Sequence, residues 1–210
     1  MMAEESVVKA SVEEAQEMID MVFDLNGSFV PEDYPFTLRL EIARNLPWLK
    51  DEESVGILPL RGSISGENTL LSKRTKLILR VPVERADQTG VLSGQQLNVG
   101  KSVLVVGKGK ERPLQPAVTL HSYLVESDLD EIEFVADMKQ KLQLMNISCN
   151  LICDRFRNIK GADQSLRGFG LVLHDLKPQA SIEIQRSGLG AARQLGCGIF
   201  IPFKAITGLE

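Results

Sequence analysis

Near the C-terminus, the stretch Ser187-Gly188-Leu189-Gly190-Ala191-Ala192-Arg193-Gln194-Leu195-Gly196-Cys197-Gly198 sets four glycines around a single arginine. Glycine allows close backbone approach and left-handed conformations. Successive N–H groups in such a loop form a concavity for anions, and a guanidinium pairs with phosphate in bidentate fashion. Gly188, Gly190, Arg193, Gly196 and Gly198 are therefore candidate contacts to an anionic chain, although a tight connection or bulge would use the same glycines. A dinucleotide fingerprint fits poorly, because that loop follows a strand and opens a helix, whereas this one runs into the apolar stretch 199–201.

A second fragment, Arg167-Gly168-Phe169-Gly170-Leu171-Val172-Leu173-His174, approximates the basic-Gly-aromatic-Gly signature of RNA-recognition strands, whose exposed rings stack on bases. Arg167 and Phe169 are its candidate RNA contacts. Leu171 and His174 stand where further aromatics are expected, so an ordinary core strand is the competing reading. With aromatic residues at 5%, base stacking is not the main source of affinity. Two basic groups extend the candidate path: Lys108, Lys110 and Arg112, opposed only by Glu111, and Arg155, Arg157 and Lys160. Either group would also suit a solvated loop, and the loop 154–165, which carries Gly161, is expected to be mobile.

Charge is segregated along the chain. Residues 1–70 hold 14 acids against 5 bases and residues 71–210 hold 14 against 19, which permits a basic face on a chain of net charge −4. Cys149, Cys153 and Cys197 lack paired metal-ligand spacing and are expected as reduced thiols. No metal and no cofactor is expected. No apolar run approaches the roughly 20 residues of a membrane span, and the N-terminus lacks a secretory pattern, so the expected location is the cytoplasm.

An α+β scaffold must hold these residues. Ser11-Val12-Glu13-Glu14 has the form of a capping box within an N-terminal arm, 1–17. Ile19, Met21, Phe23 and Leu25 then alternate with polar residues, which predicts a strand. Asp33 reads as the N-cap of a helix with Pro35 in its first turn and Phe36, Leu40 and Ala43 on one face. Strands at 55–60 and 75–81, a short helix at 85–92 and extended pieces at 95–99 and 102–106 complete a β-α-β-β-α-β order, after which Pro113 and Pro116 bracket a linker. The order repeats: a strand at 118–125, a helix at 130–142 showing Ile132, Val135, Ala136 and Leu142, strands at 146–153 and 166–173, a helix from Pro178 and a strand at 196–201. The expectation is two ferredoxin-like, RRM-like units in tandem, at 18–113 and 117–210, the second carrying the glycine-rich loop.

Across about 19–202 the chain resembles the CRISPR-associated repeat-processing endoribonucleases of type I systems, the crRNA-maturation subunits of Cascade, above all the MYXAN subtype. The resemblance rests on Ile57-Leu58-Pro59-Leu60-Arg61-Gly62, on Leu77-Ile78-Leu79-Arg80-Val81-Pro82-Val83-Glu84-Arg85, on Leu92-Ser93-Gly94-Gln95-Gln96-Leu97-Asn98-Val99, and most specifically on Gly188-Leu189-Gly190 with Gly196-Cys197-Gly198-Ile199-Phe200-Ile201-Pro202. It implies a protein that binds the stem-loop of a CRISPR repeat and cuts at its 3′ base. The implied chemistry is metal-free: a ribose 2′-OH attacks the adjacent phosphate and leaves a cyclic phosphate and a 5′-OH. The implied partners are the crRNA 3′ stem-loop, other Cascade subunits and, through them only, target DNA.

In these relatives a histidine commonly begins the first helix, and the matching position here is Tyr34, the candidate catalytic residue. A phenol with a pKa of ~10 is a poor base at neutral pH, while a helix start favours negative charge. Weak or substrate-assisted cleavage, or none, is expected. The relatives' loop is arginine-rich, whereas here only Arg193 carries charge. His121 and His174 do not match the usual base position and are read as structural or exposed imidazoles. Two other functions stay open: a non-catalytic scaffold that caps the guide-RNA hairpin, and a tandem ferredoxin-like small-molecule sensor or metabolic enzyme.

Overall fold

The computed structural model describes residues 16–203. The expected capping box and most of the N-terminal arm therefore lie outside the described residues. The chain begins with β1 (Met18–Asn26), β2 (Phe29–Pro31) and α1 (Tyr34–Asn45), followed by β3 (Gly56–Ile57), β4 (Ser63–Ser65), β5 (Asn68–Leu70), β6 (Lys76–Pro82), β7 (Gln96–Val99) and β8 (Ser102–Pro113). After the connection 114–119 come β9 (Leu120–Glu126), α2 (Glu131–Leu144), β10 (Asn150–Lys160), β11 (Ser165–His174), α3 (Pro178–Ser187) and β12 (Ile201–Pro202).

The first sheet has the order β3-β6-β1-β8-β7 and the second β10-β11-β9-β12, and the pairings are antiparallel throughout. In each, the four strands of the β-α-β-β-α-β order lie second, third, first, fourth. That is the ferredoxin-like arrangement, twice, so the fold is α+β with tandem units.

The period-2 pattern of β1 sends Phe23 and Leu25 inward, where Leu77 and Leu79 of β6 and Leu38 and Ile42 of α1 join them. Each such apolar side chain contributes about 1.5–3 kcal/mol on burial. Leu40, expected on the buried face of α1, is instead 55% exposed. Leu38 and Ile42, four residues apart, form the inward ridge, and Leu40, two residues on from Leu38, falls on the opposite side of the helix. The same holds in α2, where Phe134, Met138 and Leu142 face the core and Ile132 points to solvent.

Three further differences from the expected elements matter. The stretch 61–71 forms the hairpin β4–β5, which pairs with β2 in a small third sheet. The short helix at 85–92 is two 3-10 turns, Val83–Arg85 and Asp87–Leu92, because Gly90 interrupts a segment too short for stable α-helix. Residues 154–160 are strand rather than mobile loop: they extend β10, whose hairpin closes where Gly161 donates to the Gln164 carbonyl at 2.8 Å.

The units are joined by a buried charge network. Arg80 on β6 is fully buried and donates to both carboxylate oxygens of Asp20 on β1, at 2.7 and 3.2 Å. Its Nη1 crosses to the second unit and donates to the carbonyls of Gln185 and Phe200, at 2.9 and 2.7 Å. Arg112 on β8 adds a contact of 2.8 Å to Asp20. A mixed apolar cluster of Phe36, Leu124, Leu166 and Cys197 fills the junction nearby.

Candidate nucleic-acid interface

The glycine-rich loop leaves α3 at Gly188 and passes through repeated left-handed backbone: φ is +69° at Gly188, +86° at Gly190, +58° at Ala192, +87° at Gly196 and +63° at Gly198. Such a path doubles back on itself. Leu189 donates to the Gly198 carbonyl, Gly196 to Arg193, Cys197 to Ala192, and Gly198 crosses to Leu124 of β9. These N–H groups are consumed inside the protein, so Gly188, Gly196 and Gly198 serve the shape of the loop. Gly190 and Ala191 are exposed instead.

Arg193 sits inside this loop rather than on its surface. It is only 7% exposed, its Nη2 donates to the Arg186 carbonyl at 2.9 Å, and a side chain at Gly188 would collide with its guanidinium. Burial, with the nearby Arg80 charge, pulls its pKa down to about 10. The side chain turns inward and braces the loop through Nη2, while Nε and Nη1 find no hydrogen-bond partner among the described residues.

Opposite segment 190–195 runs α1, and between them lies a groove of about 680 Å³. Arg39, Lys50 and the inward-turned Arg193 line it against the single acid Glu53. Gln194 locks the loop to this wall: it accepts from Arg39 Nε at 3.0 Å and donates to the carbonyls of Leu49 and Glu52 at 2.7 and 3.0 Å. Sequence reading missed Arg39 and Lys50, because each is an ordinary helix or loop cation until the loop folds across from it.

Tyr34 opens α1 with Asp33 as N-cap, although the Asp33 side chain makes no capping bond. Its hydroxyl accepts from the Leu60 backbone N–H at 2.9 Å. Burial pushes the phenol well above its ordinary value, against the lowering by that N–H, and Tyr123 adds to the rise. The helix start does not make this hydroxyl acidic.

The second sheet presents an open face beside Tyr34. The fragment 167–174 lies on β11, but Phe169 is 7% exposed and packs on Phe134 and Phe156, with ring centroids 5.0 and 5.3 Å away. Phe169 alternates with Leu171 and Leu173 along β11, and all three face the helix side in one buried cluster. Its expected role as an exposed stacking ring is corrected accordingly. Arg167 remains exposed and pairs with Asp128.

Tyr123 on β9 is an exposed aromatic of the open face. The Arg157 guanidinium lies 4.4 Å from its ring centroid and pairs with Asp154 at 2.7 Å. Gly170 leaves room beneath, since a Cβ there would meet Arg157 Nη1 at 2.6 Å and Asp154 Oδ2 at 2.8 Å. His121, two residues before Tyr123, shares this face and stacks against Phe203 with centroids 5.5 Å apart. Arg155 and Lys160 are exposed on β10, and Lys108, Lys110 and Arg112 are exposed along β8. The β8 group lies on a strand of the first sheet, where Arg112 is tied to Asp20.

A tandem ferredoxin-like protein with a cationic groove at the junction of its units is what the fold and the site define. The family description Cas6 Crispr matches residues 19–205, and the chain belongs to that family. It is 30% identical over 186 residues to the CRISPR-associated endonuclease Cas6 of Myxococcus xanthus (strain DK1622), covering 88% of this chain and 81% of the relative. Among solved structures, a CRISPR associated protein Cas6 aligns with a TM-score of 0.65 at 13% identity, over 90% of this chain and 100% of that one. Thermus thermophilus Cse3, bound to an RNA representing a pre-cleavage complex, aligns at 0.51 and 14%, over 88% of this chain and 98% of that one. These two likenesses concern the fold. Among the described residues, no helix is long and apolar enough to cross a membrane.

Proposed function

We propose that this chain binds the stem-loop of a CRISPR repeat and cuts the precursor RNA at the 3′ base of the stem, then stays on the guide-RNA hairpin within a Cascade assembly in the cytoplasm. The observation that carries the reading is the groove between α1 and the loop segment 190–195, cationic through Arg39 and Lys50, in a member of a family that includes an endonuclease. Phosphate contacts supply most of the affinity of such a site and make it salt-dependent. The chemistry is attack of the ribose 2′-OH on its own phosphate, without a metal. Tyr34, its hydroxyl held by the Leu60 N–H, orients the cleft rather than taking the proton.

A non-catalytic hairpin scaffold is the second reading, favoured by the committed and buried Tyr34 hydroxyl at the position where relatives commonly use histidine. One experiment separates the two. The protein is incubated in EDTA with the repeat RNA of its own locus and with a copy carrying 2′-deoxy at the cut site. Cleavage of the intact RNA alone, with a cyclic-phosphate end, is expected. Tight binding of both RNAs without cleavage of either selects the scaffold, and no hairpin binding defeats both.

A further inference from the structure

We propose that His121, on the open face of the second sheet, is the proton acceptor for the attacking 2′-OH in this chain. The inference rests on the cleavage reading above and assigns its missing base to a different element from α1.

The face that carries His121 lies beside the start of α1, since Tyr123 on that face acts electrostatically on Tyr34. Tyr34 holds its proton and its hydroxyl is engaged. The chain has two histidines. His174 lies at the far end of β11, its Nδ1 2.9 Å from Asp175 on an exposed turn that also engages Asn150. His121 instead pairs in register with Val172 of β11 on one side and Ile201 of β12 on the other, which fixes its ring on the open face of β9. Phe203 packs on that ring and limits its rotation.

The surroundings suit transfer of a proton next to a phosphate. The charged groups facing His121 are Asp154 and Arg157 from β10 and Arg61 from the connection after β3, while Tyr123 shares its own strand face. Burial lowers the imidazole pKa, Asp154 opposes the shift, and Arg157 and Arg61 reinforce it. The lowering favours the neutral imidazole, the form that accepts a proton. Arg157 is fixed beside Tyr123 by Asp154 and by its bond to the Arg155 carbonyl, so a positive charge stands on this face to attract phosphate oxygens. Planar guanidinium groups suit that task. In the step itself the 2′-oxygen forms a bond to phosphorus as its proton passes to the free ring nitrogen of His121. The P–O5′ bond breaks, and the leaving oxygen takes a proton from water.

The test measures cleavage and hairpin binding for His121→Gln and His121→Gly, with His174→Gln as a control. His121→Gln is expected to lower the single-turnover rate by roughly 10²- to 10⁴-fold, the usual span for a lost general base, with hairpin Kd within about threefold. Added imidazole is expected to restore part of the His121→Gly rate, which a purely structural role would not allow. The kcat/KM profile of the unsubstituted protein should fall on the acid side with a midpoint below the ordinary imidazole value of ~6.5, and this limb should vanish in His121→Gln. A His121→Gln rate near that of the unsubstituted protein overturns the inference while cleavage stands. Loss of binding in proportion to rate assigns the residue to recognition and overturns it too. Absence of cleavage by the unsubstituted protein overturns both this inference and the nuclease reading.

Discussion

Replacing Arg80 by methionine removes the charge at the junction of the two units while keeping most of the stem's volume. In the native protein the guanidinium makes two bonds to Asp20 and one each to the Gln185 and Phe200 carbonyls, with no exposure to water. Breaking a buried ion pair by removing one partner costs about 3–5 kcal/mol. Orphaning two carbonyls adds about 1–3 kcal/mol each, but groups in one network are not additive. Arg112 still holds Asp20 at 2.8 Å, which moderates the loss. We expect about 4 kcal/mol, a large part of the ~5–15 kcal/mol typical of a folded protein. With a urea slope of about 2 kcal/mol/M, the midpoint should fall by about 2 M. Urea unfolding followed by fluorescence of the single Trp48 and by circular dichroism measures it. Asp20→Leu combined with Arg80→Met should recover part of the loss, because no uncompensated carboxylate then stays buried. A single-variant midpoint within about 0.5 M of the unsubstituted protein, or a double variant no better than the single, would refute the reasoning.

Tyr34→Phe should lower stability by about 1 kcal/mol through the unpaired Leu60 N–H, reduce cleavage less than about tenfold and leave the acid limb of the pH profile in place; disappearance of that limb would return the proton transfer to Tyr34. Arg39→Ala and Lys50→Ala should each flatten the salt dependence of hairpin binding by about 0.7–0.9 of a unit, whereas buried Arg193→Ala should lower thermal stability with the slope unchanged; a flatter slope for Arg193→Ala would mean that it does touch phosphate. Gly198→Ala places a side chain against the Leu189 carbonyl at positive φ, so it should destabilise by at least ~1–2 kcal/mol, read as a lowered melting temperature. Burial pushes the Cys197 thiol up to about 12, so in the native protein a thiol reagent should modify Cys149 and Cys153 and spare Cys197 until denaturant is added, as peptide mapping would show.

The sequence alone determined much of the architecture. Alternation in β1, β6 and β9, the apolar spacing in 130–142 and the prolines opening α1 and α3 are local signals, and they sufficed for two ferredoxin-like units. The family motifs were equally legible, since they are contiguous residues. Tertiary structure decided which side of each pattern is covered. A strand's period assigns residues to faces without saying which face meets a helix, and Phe169 went to the helix side together with Leu171 and Leu173. The same glycines that suggested a phosphate cradle fold back on themselves and take Arg193 inside. Arg39 and Lys50 became a groove wall only when the loop crossed them, and the contacts Arg80 makes span 60 to 120 residues. Such groups are ordinary in sequence, because their chemistry comes from neighbours that only the folded chain supplies.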